Sequence, residues 1–475
     1  MGGEDVKLPT WHRTKIICTL GPATDAPGVV ERLLGAGMDM ARVNLSHGSH
    51  TDQARRIAEV RQVARKLGQP LAILTDLPGP KFRLGTLEQG VRTLQEGTSV
   101  TLSTRTDDRE LLPVRNRELL SALHVGDLLY LADGSVELRV TASGSERVVC
   151  EVLIGAEVRS GSGINVPEAD FGGVVPTDDD RRHLSFALAQ AAEWIGVSFV
   201  QGAEDLARVR ACFSGGMHAL LMAKIEKRRA VAQLDAIIES ADGVMVARGD
   251  LGVETDLAEI PLLQKRIIAA ANVWGRPVVT ATQMLESMVY HEHPTRAEVT
   301  DVANAVLDGT DAVMLSGETA IGLHPVAAVE IMSRVLIATE AEHAVRIAAQ
   351  RLETSAPEAG DALSFAACQL AARVGAKAII ALIDEFATAA SIARFRPAMP
   401  LVVFAESETL CQRLAALRGV VPLYSASGTD VEHCLDDARR WLSARGLASS
   451  GSEAVLLLAS APGQRETDTL RVAHL

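Results

Sequence analysis

Lys224 and Glu226 end an apolar run of strand length, and their spacing places an ammonium and a carboxylate on one strand face. Lysine is rare in this chain, because only eight of the 47 basic residues are lysines. Burying one at a strand end without a function would be costly. The pair therefore predicts a catalytic ammonium beside a metal ligand, with a structural ion pair as the alternative.

A second carboxylate follows another apolar run, in the segment Arg248-Gly249-Asp250-Leu251-Gly252. The glycines let backbone N–H groups approach an anion, and Asp250 offers a hard oxygen ligand. Mg2+ prefers one or two carboxylates and keeps several waters. Glu226 and Asp250, together with substrate oxygens and water, therefore predict a magnesium site.

Arg42, Asn44 and Ser46 occupy alternate positions, which places them on one face of a predicted strand. A guanidinium and two short oxygen-bearing side chains suit a phosphate and a cation. Such clusters are about as often helix caps or polar core residues as they are ligand sites, so that is the alternative here. Thr282 follows another predicted strand, and its hydroxyl is expected to point to the same end of the strands. The alternative role for this hydroxyl is to cap a helix.

The composition narrows the partners and the compartment. The net charge of -13 argues against broad binding to nucleic acid or to an anionic membrane. The six cysteines include no C-x-x-C pair, as expected in a reducing cytoplasm. No apolar run has the roughly 18 residues of a membrane span, and no Walker, G-x-G-x-x-G, H-E-x-x-H or G-x-S-x-G motif occurs. We expect a soluble cytoplasmic protein that holds an anionic ligand at a local basic site.

Eight strand-length runs alternate with stretches long enough for a helix, which is typical of parallel strands with crossover helices. They are Lys15 to Leu20, Asp39 to Leu45, Leu71 to Asp76, Trp194 to Phe199, Leu220 to Ile225, Gly243 to Ala247, Pro277 to Ala281 and Ala312 to Leu315. Eight such units favour an α/β fold of the (β/α)8 TIM barrel type, with an open doubly wound sheet as the alternative. The polar residues above then lie at the carboxyl ends of barrel strands, where catalytic groups collect.

The 117 residues from Leu77 to Glu193 are too many for a loop in a compact domain. Short alternating runs separated by Gly-Asp, Asp-Gly and Ser-Gly predict a small inserted β domain there. A linker-like stretch at 354–360 precedes strands that alternate with helices, which predicts a C-terminal α/β domain. We expect the barrel at 1–77 and 177–345, a β-barrel lid domain at 78–176, and the C-terminal domain at 346–475.

Several segments together resemble those of pyruvate kinases. They are Ile17 to Thr24, Arg42 to Gly48, Lys224 to Glu226, Ala247 to Gly252, Ala281 to Met288 and Pro294 to Gly322. The resemblance implies phosphoryl transfer from phosphoenolpyruvate to ADP, Mg2+ or Mn2+ as cofactor, and a homotetramer. A different enolate-forming barrel enzyme, such as a 2-oxo-acid aldolase, and a catalytically silent binding scaffold are the alternatives.

The resemblance also implies roles for single residues. Arg42 and Ser198 would hold the substrate phosphate, and Lys224 would neutralise charge on the transferring group and on the enolate. Glu226 and Asp250 would bind Mg2+. These implied roles agree with the chemistry predicted from the residue types, because phosphoryl transfer depends mainly on positioning and charge neutralisation.

Further implied positions concern the carboxylate and the nucleotide. The backbone amides of Gly249 and Asp250 would seat the substrate carboxylate with Thr282, which would also belong to the proton-delivery path. The nucleotide positions are Thr19, Pro22, His47 and Arg83.

One departure from the family's pattern concerns the monovalent cation. Asn44, Ser46 and Asp76 match the family's K+ ligands, but Lys81 stands where the K+-dependent pattern has a glutamate. An ammonium on a flexible stem can stand where the ion stood. We predict that K+ is not required, with a solvent-facing Lys81 as the alternative.

Other departures lie near the metal site and in the C-terminal domain. The effector loop of the family is replaced by Ile383 to Thr388, which lacks its Ser, Gly and Arg and carries Asp384 and Glu385. We therefore expect no activation by fructose 1,6-bisphosphate. Lys227 replaces the family's asparagine after Lys-Ile-Glu, and residues 466–469 replace a late Gly-Thr-Thr-Asn stretch.

Overall fold

The computed structural model describes residues 11–105, 111–132, 134–167, 175–213, 218–341, 359–425, 431–458 and 468–475. Its first elements are β1 (Lys15–Thr19), α1 (Val29–Ala36), β2 (Met40–Asn44), α2 (His50–Leu67) and β3 (Ala72–Asp76). Ser49 begins α2 as an N-cap, since its hydroxyl accepts the N–H of Asp52. These units carry polar residues to the ends of three buried strands.

The insert after β3 consists almost entirely of β structure. Its elements are β4 (Phe82–Arg83), β5 (Val91–Thr93), β6 (Ser99–Ser103), β7 (Leu111–Pro113), α3 (Arg117–Ala122), β8 (Leu128–Leu131), β9 (Val136–Ala142), β10 (Arg147–Ile154), β11 (Glu157–Arg159) and β12 (Gly163–Asn165). Seven strands form one sheet in the order β4-β12-β8-β9-β10-β6-β7, and β5 pairs with β11. Buried and exposed residues alternate along β9 and β10, so one sheet face packs on a separate apolar core.

The chain then returns to parallel strands and helices. The elements are α4 (Asp178–Ala189), β13 (Trp194–Val197), α5 (Ala203–Arg210), β14 (Leu220–Ile225), α6 (Arg228–Ala232), α7 (Leu234–Ser240), β15 (Gly243–Ala247), α8 (Arg248–Glu254), α9 (Ile260–Val273), β16 (Val278–Ala281), α10 (Arg296–Asp308), β17 (Ala312–Leu315), α11 (Gly317–Ala320) and α12 (Pro325–Ala341). A short 3-10 turn, Glu286–Val289, precedes α10. Thr295 and Glu298 form a capping box at the start of α10.

Eight of these strands close into one barrel. Going round the barrel, β1, β2, β3, β13, β14, β15, β16 and β17 follow each other in chain order, and β17 pairs with β1. Every pair of neighbours is parallel. The (β/α)8 barrel is therefore confirmed, and the open doubly wound sheet is excluded. The carboxyl ends of all eight strands meet at one mouth.

The C-terminal segment forms a second α/β unit, with α13 (Ala359–Val374), β18 (Ala378–Leu382), α14 (Phe386–Ala393), β19 (Leu401–Ala405), α15 (Glu408–Leu414), β20 (Val420–Tyr424), α16 (Val431–Ala444), β21 (Glu453–Leu458) and β22 (Thr469–His474). Its sheet has the order β20-β19-β18-β21-β22, with only β22 antiparallel. Most of the predicted linker, at 354–358, and residues 466–467 lie outside the described residues.

The barrel interior and the C-terminal unit share an apolar cluster. Ile17, Met40, Met222 and Met245 are interior strand residues of this cluster, and Ala415 and Ala416 join it from the C-terminal unit. The cluster is packed side chains, as expected for a barrel of this size. Chemistry is thereby restricted to the opposite, carboxyl-end mouth.

Candidate active site

Lys224 lies near the end of β14 with its ammonium among three oxygens. The Lys224 Nζ is 2.8 Å from Glu226 Oε1 and 3.2 Å from Asp76 Oδ1, and it donates to Ser198 Oγ at 2.7 Å. Burial alone would lower the pKa of Lys224, but the charges of Asp76 and Glu226 raise it well above its ordinary value. The alternation had predicted Lys224 and Glu226 on one face, and in the structure these two side chains are in contact.

Arg42 contacts the same carboxylate from β2. Its Nε and Nη2 donate to Asp76 Oδ2 at 2.9 and 2.6 Å, and its Nη1 donates to Thr19 Oγ1 at 3.0 Å. Burial would raise the pKa of Asp76, but the positive charges of Lys224 and Arg42 lower it below its usual value. Asp76 therefore stays ionised and holds both cations at the floor of the mouth.

The end of β2 differs from the sequence-based expectation. The strand ends at Asn44, so Ser46 lies in the turn that follows, and Asn44 Oδ1 accepts the N–H of Ser46 at 3.1 Å. The expectation that Arg42, Asn44 and Ser46 share a strand face was therefore wrong for Ser46. Alternation stops where the chain leaves the extended conformation.

The two acids assigned to the metal lie on neighbouring units. Glu226 Oε2 accepts the backbone N–H of Phe199 at 2.7 Å, and Asp250, in α8, lies 2.8 Å from the ammonium of Lys81. Burial raises the pKa of Glu226, and the nearby charge of Asp250 raises it further, against the opposite effect of Lys224. The two carboxylates are thus close enough to interact electrostatically.

Thr282 has an uncommon backbone at the end of β16. Thr282 and Gln283 have φ values of +69° and +55°, in a region that side chains other than glycine rarely adopt. The Thr282 hydroxyl accepts the N–H of Gly249 at 2.9 Å and donates to the carbonyl of Ala281 at 2.6 Å. The structure thus brings Thr282 and the start of α8 together.

Two further residues at the mouth have no role predicted from the sequence. Arg248 donates to the carbonyl of Thr282 at 2.6 Å and pairs with Asp301 at 2.6 Å. Glu318 accepts the N–H groups of Leu285 and Ser316 at 3.1 and 2.7 Å, and burial raises its pKa. Arg248 directly follows β15, and this position was the only sequence signal. Glu318 gave none.

The nucleotide candidates differ in exposure. Pro22 and His47 are exposed, whereas Thr19 is buried, donates to the carbonyl of Leu315 and supports Arg42. Loss of hydration and the positive charges of Arg83, Arg42 and Lys81 lower the pKa of His47. The charge of Arg83, which comes from the insert, therefore acts on His47 at the mouth.

The described part of the chain contains no group of three or more His, Cys, Asp or Glu that could hold a metal. That is compatible with Mg2+, which takes one or two carboxylates and completes its shell with water and substrate oxygens. Within the same described ranges, no helix is both long and apolar enough to cross a membrane.

Comparison with known proteins covers both α/β units. Residues 11–329 match the pyruvate kinase barrel domain, and residues 361–473 match the pyruvate kinase alpha/beta domain. A pyruvate kinase of Methylorubrum extorquens is 40% identical over 457 residues, covering 95% of this chain and 94% of the relative. One of Thermotoga maritima is 35% identical over 463 residues, covering 97% and 98%. One of Geobacillus stearothermophilus is 37% identical over 471 residues, covering 98% and 80%. These matches, together with the barrel, the insert and the C-terminal unit, show that the chain belongs to the pyruvate kinase family.

Proposed function

We propose that the barrel mouth transfers the phosphoryl group of phosphoenolpyruvate to ADP, giving pyruvate and ATP. The observation that carries this proposal is the buried ammonium of Lys224 with Arg42 beside it. Two fixed cations at the floor of a mouth suit a reaction in which negative charge moves between oxygens. A simple aldolase barrel would explain neither the insert nor the C-terminal unit, and the intact cation cluster argues against a silent scaffold.

The substrate phosphate would lie against Arg42, Ser198 and Lys224. Arg42 lies in β2, Ser198 directly follows β13, and Lys224 lies in β14. Because the donors come from three places round the barrel, the phosphate would be oriented as well as neutralised. The substrate carboxylate would lie near Thr282 and the amides of Gly249 and Asp250. Thr282 would also belong to the path that delivers the proton converting the enolate to pyruvate.

Glu226 and Asp250 are the residues that would hold Mg2+ or Mn2+. Each carboxylate pairs with a lysine here, Glu226 with Lys224 and Asp250 with Lys81. Two hard, ionisable oxygens within mutual electrostatic range fit the donor set of a divalent cation. When bound, that cation would neutralise charge on the phosphoryl oxygens.

ADP would bind between the barrel and the insert. Pro22 and His47 offer exposed surface on the barrel side, and Arg83 offers a guanidinium from the insert. Thr19 would act through Arg42, because its side chain is buried beneath that guanidinium. We further propose that the enzyme is a cytoplasmic homotetramer, as the family resemblance implies.

We also propose that Lys81 makes the enzyme independent of K+, as the replacement cation for the former monovalent-cation residues Asn44, Ser46 and Asp76. The aliphatic stem of Lys81 packs against Gly163 in the insert. A Cβ atom added to Gly163 would lie only 2.8 Å from Lys81 Cε. The Lys81 ammonium pairs with Asp250, and its positive charge helps to lower the pKa of His47. A lysine lodged in this way is not a solvated loop side chain, which supports the proposal.

The test is a coupled assay with phosphoenolpyruvate, ADP and Mg2+ in tetramethylammonium buffer free of K+ and NH4+. We expect pyruvate formation without K+, and we expect Lys81→Glu to make activity depend on added KCl at constant ionic strength. Lys265→Glu is the matched control, because it makes the same charge change at a lysine that pairs with Asp308 on the barrel helices. No pyruvate with any cation would refute the function, whereas a wild type that needs KCl would refute only the role of Lys81.

A further inference from the structure

Lys227 and Glu254 form an ion pair between the two chain segments that carry the metal candidates Glu226 and Asp250. Lys227 Nζ lies 2.8 Å from Glu254 Oε1, and the Glu254 side chain is completely buried. Its second oxygen, Oε2, has no hydrogen-bond partner among the described residues. A buried carboxylate is costly without a cation, so Glu254 depends on Lys227 for its charge balance.

Each partner is fixed to one half of the metal site. Lys227 follows Glu226 directly in the chain, at the end of β14. Glu254 is the last residue of α8, the seven-residue helix that carries Asp250. The ion pair therefore joins the strand end that carries one carboxylate to the helix that carries the other.

Lys227 also contacts the residue that orients Glu226. Its Nζ lies 5.8 Å from the centre of the Phe199 ring, within the range of a cation–π contact. Phe199 has a φ of +57°, and in this backbone conformation its N–H donates to Glu226 Oε2 at 2.7 Å. A non-glycine residue keeps such a conformation only where its surroundings hold it. Lys227 is part of those surroundings.

We propose that Lys227 is a positioning residue for the divalent cation: by bonding Glu254 and covering Phe199, it sets the separation and orientation of Glu226 and Asp250. This inference rests on the proposed metal site. Lys227 itself would not touch metal or substrate. Residues that orient metal ligands in this way typically contribute 10- to 100-fold to metal affinity.

A positioning role and a simple charge effect predict opposite results. Removing one positive charge beside two carboxylates makes the site more negative, so Coulomb attraction alone would tighten the binding of a divalent cation. If Lys227 positions the ligands, its removal lets α8 move relative to β14, and binding weakens although the site has become more negative. The sign of the change therefore separates the two explanations.

The experiment measures free Mn2+ by electron paramagnetic resonance during titration of the full-length protein, with no substrate present. We expect Lys227→Met to weaken Mn2+ binding by about tenfold, and Lys227→Arg, which keeps the cation, to stay near wild type. Lys265→Met is the matched control, because it breaks the lysine–acid pair with Asp308. Binding by Lys227→Met that is unchanged or tighter than wild type would overturn the inference.

Two further variants keep the outcome decisive. Lys227→Met with Glu254→Gln also removes the buried charge, and it replaces the single variant if that one unfolds in a thermal scan. We expect the double variant to bind Mn2+ more weakly as well, because the link between α8 and β14 is gone. Glu226→Gln tests the metal site itself. If Glu226→Gln leaves Mn2+ binding unchanged, the proposed metal site is wrong. If Glu226→Gln weakens Mn2+ binding but the Lys227 variants do not, the metal site stands and the positioning role of Lys227 is wrong.

Discussion

Lys224 combines two properties that rarely occur together, burial and a secure positive charge. Its side chain is largely buried, yet the carboxylates of Asp76 and Glu226 keep its pKa above the ordinary lysine range. The two carboxylates therefore favour the charged form of the ammonium. Because its three oxygen partners hold it in place, the charge needs little reorganisation when the phosphoryl group moves.

We predict that Lys224→Met lowers kcat by roughly 10³- to 10⁵-fold, the effect expected of one preorganised charge on a phosphoryl transition state. Steady-state kinetics with saturating phosphoenolpyruvate, ADP and Mg2+ measures this. Circular dichroism serves as the control for folding, since the variant leaves Asp76 with only Arg42 as a cationic partner. Turnover within a few-fold of wild type would mean that Lys224 is only a structural ion-pair partner.

The scarcity of lysine in the chain predicted part of the site, whereas the unusual backbone conformations in the site could not be predicted. The scarcity of lysine drew attention to Lys224 and Lys81, and the structure places both against carboxylates at the mouth. The positive φ values of Phe199 and Thr282 left no signal, because neither position carries the glycine or asparagine that such backbone usually selects. Strain of this kind depends on tertiary contacts, which a single sequence does not contain.

One pair of histidines connects helices α2 and α4. His50, the first residue of α2, lies with its Nε2 2.9 Å from Nδ1 of His183 in α4. His50 also stacks on Phe186, with ring centres 4.2 Å apart. One turn before His183, Asp180 accepts the N–H of Gly79 at the start of the insert. The pair therefore joins the start of α2 to α4, and α4 in turn holds the segment that leads into the insert through Asp180.

We predict that this pair makes the protein less stable in mild acid. Loss of hydration and the neighbouring His50, with a smaller contribution from Arg182, lower the pKa of His183, against the opposite effect of Asp180. Between the lowered pKa and the ordinary value of about 6.5, the unfolded chain binds more protons than the folded one. The free energy of unfolding therefore falls as pH drops through this window.

Urea unfolding of wild type and His183→Gln at pH 7.5 and 5.5 measures this difference. Glutamine can still hydrogen-bond to His50 but does not titrate, so we expect the variant to lose less stability on acidification than the wild type. His124→Gln, at an exposed histidine of the insert, is the control. An equal loss in wild type and His183→Gln would show that the pair does not set the acid sensitivity.

Hydrophobic periodicity predicted the architecture of the chain better than it predicted the contacts between its units. All eight barrel strands lie within the predicted runs: β14, β15 and β17 coincide with them, and the ends of the other five differ by at most two residues. The domain limits at 77, 176 and 345 stay a prediction. The packing of Ala415 and Ala416 against the interior of the barrel gave no sequence signal. A small apolar residue gives the same sequence pattern at any buried position, so the sequence does not show which unit it packs against.

The C-terminal unit also contacts the barrel through the loop that replaces the family's effector loop. Phe386 lies with its ring centre 5.5 Å from that of Trp194, the first residue of β13, in an edge-on arrangement. Asp384 and Glu385 are exposed immediately before it, at the start of α14. The loop therefore presents an aromatic contact with the barrel and two negative charges, where a phosphate would need donors and positive charge.

We predict that fructose 1,6-bisphosphate does not activate this enzyme. A sugar bisphosphate would have to approach Asp384 and Glu385 against electrostatic repulsion, and it would have to displace Phe386 from Trp194 to find backbone donors. Saturation curves for phosphoenolpyruvate with and without the sugar bisphosphate should therefore coincide, and calorimetric titration of the protein with it should give no heat of binding. A clear shift of the saturation curve to lower phosphoenolpyruvate would refute this prediction. If Asp384→Ser with Glu385→Ser abolished that shift, the two acids would even be part of the effector site.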